Sequence, residues 1–143
     1  MAYWGQELII NATGCDKKAM QDYLVVYDFI KELVPEIGMV AYGEPDIVHF
    51  GEGDKEGFTL TQLIMTSNIT AHFANESGDI FLNVFSCKSF DNDIVLEVLY
   101  DYFGYTKAQV LPLYRGTGAS TSMLPPLSPM EVIYNYKDLH NGN

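Results

Sequence analysis

The sequence predicts an α+β fold, a two-layer sandwich in which a mostly antiparallel sheet carries two helices packed on one face. Two observations predict it. Two stretches repeat their apolar residues every three to four positions, the period of a helix with one buried face. Between and around them lie several short runs rich in β-branched and aromatic residues, bounded by Gly, Pro, Asn and Asp. The order strand, helix, several strands, helix, strand lets both helices bury one face against one side of a single sheet.

In chain order, Glu7–Asn11 (ELIIN) reads as a first strand that ends at Thr13 and Gly14. Asp16 stands where a helix N-cap belongs. Apolar residues then fall at Tyr23, Leu24, Tyr27, Ile30, Leu33 and Val34, which predicts a helix over 17–34. Pro35 is expected to end it, because an interior proline removes a hydrogen bond and clashes with the preceding turn. Gly38–Tyr42 (GMVAY) is a short apolar run and an expected strand, and Asp46–Phe50 (DIVHF) another. Gly51–Gly57 (GEGDKEG) contains G-x-G but lacks the Lys-Ser/Thr close and the following helix of a phosphate cradle, so it reads as a loop or hairpin.

Phe58–Met65 is an expected strand, and the chain continues through Thr66–Phe73 with Asn68 as its one weak breaker. Ala74–Asp79 (ANESGD) is a turn by composition, and Ile80–Phe85 (IFLNVF) a strand. The polar cluster Ser89–Asn92 caps a second helix over about 91–103, closed by Gly104. Tyr105–Tyr114 is the last strand, with Pro112 marking an edge or a bulge. Arg115–Pro129 is rich in Gly, Ser, Thr and Pro, and Met130–Tyr136 reads as a short segment able to dock as strand or helix. The expected organisation is one domain over 1–116 and a linker-like extension over 117–143.

Composition narrows the function. Apolar residues make up 48% of the chain, enough for a packed core and too many for a disordered segment. A net charge of −11 argues against nucleic acid and anionic membranes as partners, and fits either a small cationic ligand or simple solubility. With two cysteines, Cys15 and Cys87, no disulfide framework is indicated, and the first ten residues do not read as a secretory leader. The expected setting is the reducing cytoplasm, where the Asn-x-Ser/Thr matches at Asn11, Asn68 and Asn75 carry no glycan. No metal-ligand set is assigned.

The stretch Leu63–Cys87 gathers three reactive side chains. His72 lies five residues after Ser67, and Cys87 fifteen after His72. On a plain strand an odd offset sends Ser67 and His72 to opposite faces, unless a bulge near Asn68 changes the parity. Spacing alone leaves ordinary roles open: a turn serine, a hydrogen-bonded half-buried histidine, a cysteine acting as a small core hydrophobe.

These residues carry a resemblance. A strand followed by Ser67, then His72 in ITAHF, then Glu76, then VFSC ending at Cys87, resembles the bacterial and archaeal S-adenosylmethionine decarboxylase proenzymes, a pyruvoyl-dependent family. Tyr105–Gly116 is similar to that family's closing strand and arginine-glycine end. The resemblance covers roughly residues 5–116. The chain departs from many members at Thr66 and Asn68, where they carry Glu and His.

The resemblance implies that Ser67 attacks the carbonyl of Thr66, giving an ester that His72 helps to eliminate, and that Ser67 ends as a pyruvoyl group. Thr59, eight residues before Ser67, stands where the family has a serine that assists processing. The pyruvoyl ketone would take a substrate amine as a Schiff base and act as the electron sink for decarboxylation. Cys87 matches the proton donor, Glu76 a residue that holds the substrate, and Phe50 an aromatic that stacks on it. The implied substrate is S-adenosylmethionine, in spermidine synthesis, with ornithine or arginine as alternatives and an unprocessed binding homologue as a rival. The implied assembly is a homodimer of cleaved protomers.

Overall fold

The computed structural model describes residues 3–117 and 130–132. Its elements in chain order are β1 (Gly5–Thr13), α1 (Lys17–Met20), α2 (Tyr23–Glu36), β2 (Asp46–Phe50), a 3-10 turn (Gly53–Lys55), β3 (Gly57–Ile64), β4 (Ser67–Ala74), β5 (Asp79–Ser86), α3 (Asn92–Phe103), β6 (Lys107–Arg115) and β7 (Met130–Val132). The seven strands form one sheet in the order β2-β3-β4-β5-β1-β6-β7. Every pairing is antiparallel.

Alternation along the strands decides what the sheet buries. In β1, Leu8 and Ile10 are buried, while Glu7, Ile9 and Asn11 are partly exposed. In β5, Ile80, Leu82, Val84 and Ser86 are buried, and Phe81, Asn83 and Phe85 are not. The apolar members of the buried set pack with Phe29, Ile30 and Leu33 of α2 and with Val95, Leu99 and Phe103 of α3 in one core. Each such side chain taken fully from water contributes about 1.5–3 kcal/mol. The opposite face of the sheet, with Ile9, Phe81, Phe85 and His72, is covered by no helix among the described residues.

Three expectations are corrected. The helix expected over 17–34 is two, because Asp22 breaks it. Its side chain accepts from the Leu24 N–H at 3.0 Å, capping α2 and competing with a continuous helix. Pro35 does not stop α2 but lies in its last turn. It forfeits only its own donor, and Ile37 N–H still closes on the Leu33 carbonyl at 3.1 Å. Gly38–Tyr42 is not a strand. It makes a single bridge, Ala41 to Ile64, flanked by Tyr42 N–H to the Leu63 carbonyl and Met65 N–H to the Val40 carbonyl. It takes over beside the end of β3 because β2 pairs only with Gly57–Thr61.

Other expectations hold. Gly104 closes α3 in the left-handed region at φ 55, ψ 49, where a side chain would be strained. Pro112 lies beyond the Ala108–Val110 stretch that β7 covers, so among the described residues β6 has an edge there. Met130–Val132 docks as a strand; residues 118–129 and 133–143 lie outside the described residues. Among the described residues no helix is long and apolar enough to cross a membrane.

Phe29 is fully buried and meets Phe103 edge-on at 5.2 Å between ring centres. Phe29→Ala is expected to cost about 3–5 kcal/mol, read from the urea midpoint, whereas Leu24→Ala, exposed on α2, is expected to cost under about 1 kcal/mol.

Candidate active site

Ile64 pairs with Ser67, so Met65 and Thr66 alone form the turn between β3 and β4. Thr66 has φ 65 and is the one non-glycine with positive φ among the described residues. Positive φ at the second turn position alone is the type II pattern, which favours Gly or Asn there. A β-branched residue held in that region costs about 1–2 kcal/mol. Surrounding contacts fix it: Met65 N–H donates to the Val40 carbonyl at 3.0 Å.

The side chains around this turn converge. Ser67 Oγ donates to the carbonyl of Thr66 at 2.6 Å and accepts from Cys87 N–H at 3.0 Å. Thr66 Oγ1 donates to the Met65 carbonyl at 2.6 Å and lies 2.7 Å from Cys87 Sγ. Thr66 has one hydroxyl proton and gives it to Met65, so the thiol proton of Cys87 faces Thr66 Oγ1. The result is a hydroxyl seated against the carbonyl of the preceding residue, with a thiol one side chain away. Proximity of this kind favours an intramolecular acyl shift.

His72 and Thr59 form a second cluster. They face each other across β3 and β4, with Nδ1 and Oγ1 2.9 Å apart, and Nε2 is 2.9 Å from the Lys55 carbonyl. The β3–β4 register is unbroken from the Ile64–Ser67 pair to the Thr59–His72 pair. There is no bulge at Asn68, so strand parity stands: Ser67 and His72 point to opposite faces, about 16 Å apart along β4. One chain does not join Ser67, His72 and Cys87 into a single site.

Glu76 and Phe50 are also remote from Ser67. Glu76 is exposed in the β4–β5 turn, where its carbonyl accepts from Lys17 Nζ at 2.7 Å. Phe50 is exposed at the end of β2, opposite Gly57. Both lie at the His72 end of the sheet, some ~20 Å from the hairpin given a strand rise near 3.3 Å.

A recess beside Phe85 is absent from the sequence reading. Trp4, Phe85, Arg115, Gly116 and Thr117 line about 150 Å³. Trp4 stacks on Phe85 at 5.8 Å, and the Arg115 guanidinium lies over the same ring at 4.6 Å while pairing with Glu7 at 2.8 Å. Such a surface suits a planar ring. The pairs Gly5–Arg115 and Gln6–Ser86 assemble it from three strands, so only the lone tryptophan hinted at it. Cys15, by contrast, is buried, and burial, with Asp79 nearby, pushes its thiol from 9.0 up to about 12.

A model of the S-adenosylmethionine decarboxylase family matches residues 6–116. The chain belongs to this family. The S-adenosylmethionine decarboxylase proenzyme of Clostridium botulinum strain Loch Maree is 25% identical over 117 residues, covering 81% of this chain and 97% of that protein. The proenzyme of the Langeland strain is 24% identical over the same shares. The crystal structure of the adenosylmethionine decarboxylase from Aquifex aeolicus VF5 superposes with a TM-score of 0.69 at 14% identity, covering 85% of this chain and 98% of that one. That likeness bears out the α+β fold, as family membership bears out the resemblance read from Ser67, His72 and Cys87.

Two measurements check the site. In a Ser67→Ala chain, Thr66→Gly is expected to raise stability by about 1 kcal/mol, since glycine takes positive φ without strain; a loss of stability on denaturant titration would remove the strain argument. Iodoacetamide at neutral pH is expected to label Cys87 in the native chain and Cys15 only after unfolding, by peptide mass mapping.

Proposed function

We propose that the chain is a self-processing, pyruvoyl-dependent decarboxylase that acts on S-adenosylmethionine and serves spermidine synthesis in the cytoplasm. Residues 1–116 are its catalytic unit and 117–143 an extension. The observation that carries this reading is Ser67 Oγ, hydrogen-bonded at 2.6 Å to the carbonyl of a Thr66 held at φ 65. Family membership supports the substrate and the pathway, and the net charge of −11 suits a cationic substrate.

The residues present fit the pyruvoyl group, because a serine, a strained preceding peptide and a nearby thiol meet at one hairpin. Ser67 Oγ attacks the Thr66 carbonyl carbon and the peptide nitrogen leaves, giving an ester. Removal of the Ser67 α-proton expels the Thr66 carboxylate as the new end of the first chain. The dehydroalanine left at residue 67 tautomerises and is hydrolysed with loss of ammonia. Positive φ at Thr66 raises the starting peptide in energy, which favours the first step. The pyruvoyl group then supplies an electron sink for loss of carbon dioxide from an amino acid. Cys87, within reach of Thr66 and hence of the new terminus, delivers a proton.

His72 cannot reach Ser67 of its own chain. The α-proton is therefore taken by His72 of a second copy, with Thr59 beside it. A two-fold arrangement that sets the β3–β4 hairpin of each copy against the His72 end of the other would join the two clusters. Phe50 and Glu76, at the His72 end, would then reach the substrate from that copy. The uncovered face, with Ile9, Phe81 and Phe85 part-exposed, supports the pairing. The Trp4–Phe85 recess is placed to take the flat end of the substrate.

Intact mass should show two chains, 1–66 and a pyruvoyl-blocked 67–143, and the purified protein should release carbon dioxide from S-adenosylmethionine. A single unmodified chain would sink the proposal. Ser67→Ala should abolish cleavage. Cys87→Ala should cleave yet turn over about 100-fold more slowly or worse; unchanged turnover would remove Cys87 from the mechanism.

A further inference from the structure

The glycine-rich stretch Gly51–Gly57 has no part in the chemistry above, yet it touches it. Its 3-10 turn carries the Lys55 carbonyl to 2.9 Å from His72 Nε2. A carbonyl only accepts, so Nε2 carries a proton. In the neutral ring Nδ1 is then the bare nitrogen, and Thr59 Oγ1, at 2.9 Å, donates to it.

Gly51 makes room for that carbonyl. It sits at φ +84, and a Cβ there would stand 2.6 Å from the Lys55 oxygen and 2.9 Å from its carbon. The return of the loop is pinned as well. Asn75 N–H donates to the Glu56 carbonyl at 3.0 Å, and a Cβ on Gly57 would overlap the Phe73 carbonyl at 1.6 Å. Gly53, at φ +58, has no neighbour within 4 Å of its would-be Cβ.

We infer that the Lys55 carbonyl, seated against Gly51, is a positioning group that holds neutral His72 as its Nε2–H tautomer and leaves Nδ1, behind the Thr59 hydroxyl, as the ring's single proton-accepting atom. As Thr59 Oγ1 takes an incoming proton it passes its own to Nδ1, so Nε2–H goes on donating to Lys55 and Thr59 is left accepting from Nδ1–H. Both contacts survive the change of charge, and no backbone has to move. The effect on processing rests on the role given to His72 under Proposed function; the tautomer does not.

The test uses the full chain carrying Ser67→Ala, which stays uncleaved whatever the enzyme's activity. Correlation of ring nitrogens with ring carbon-bound protons by NMR, above the ring's titration, should show His72 with a protonated Nε2 and a bare Nδ1. The reverse pattern, or an average of both, would overturn the inference. Adding Gly51→Ala should give the average, while Gly53→Ala, with a like backbone penalty and open space, should keep the fixed pattern. Equal behaviour of the two would remove Gly51 as the seat. In the cleavable chain Gly51→Ala should slow cleavage roughly tenfold and Gly53→Ala should not. Full-rate cleavage after loss of the tautomer would overturn the positioning role. A parent chain that never cleaves would sink the decarboxylase reading and leave the tautomer result to be judged alone.

Discussion

An unbroken antiparallel ladder gives each strand residue one face, with no latitude to change it. Here the β3–β4 and β4–β5 registers run without a bulge, and the rest of the molecule follows. Ile69, Ala71 and Phe73 face the helices. Asn68, Thr70 and His72 are left on the other side. The same alternation that builds the core separates Ser67 from His72, so a single chain holds two clusters of reactive side chains at opposite ends of one sheet.

The hairpin between β3 and β4 concentrates the local strain. A two-residue turn with glycine or asparagine second would close these strands at lower cost. Thr66 stands there instead, held by contacts from the 39–41 segment, Cys87 and its own carbonyl neighbours. Strain persists only where surrounding structure over-determines it. In this chain it falls on the peptide whose carbonyl Ser67 touches. The strained residue and the serine hydroxyl therefore meet at one peptide.

Around His72 the structure adds order of a different kind. Thr59 comes from the neighbouring strand and Lys55 from the loop that precedes it, so one β-hairpin and its approach supply both partners of the ring. The recess of Trp4, Phe85 and Arg115 is assembled across three strands at the other end. Each cluster therefore depends on sheet order more than on any contiguous motif.

Local physics made much of the fold legible. The three-and-four spacing of Phe29, Ile30 and Leu33, the alternation through β5, and Gly104 as a cap are all short-range signals, and the helices and most strands follow from them. Two local errors stand out: Asp22 split a helix that hydrophobic period alone continued, and Gly38–Tyr42 found only one bridge because β2 covers β3 from Gly57 to Thr61 and leaves only its end free. The reactive residues were legible as types and spacings, with Ser67, His72 and Cys87 marking the family. Their grouping was not. Whether Asn68 carries a bulge, which side of the sheet His72 faces, and that Thr66 takes positive φ depend on pairing between strands far apart in the chain. Sequence by itself determined which elements form and which side chains can react. Tertiary structure alone decided which of them meet, because strand register is a long-range choice that no window of neighbouring residues encodes.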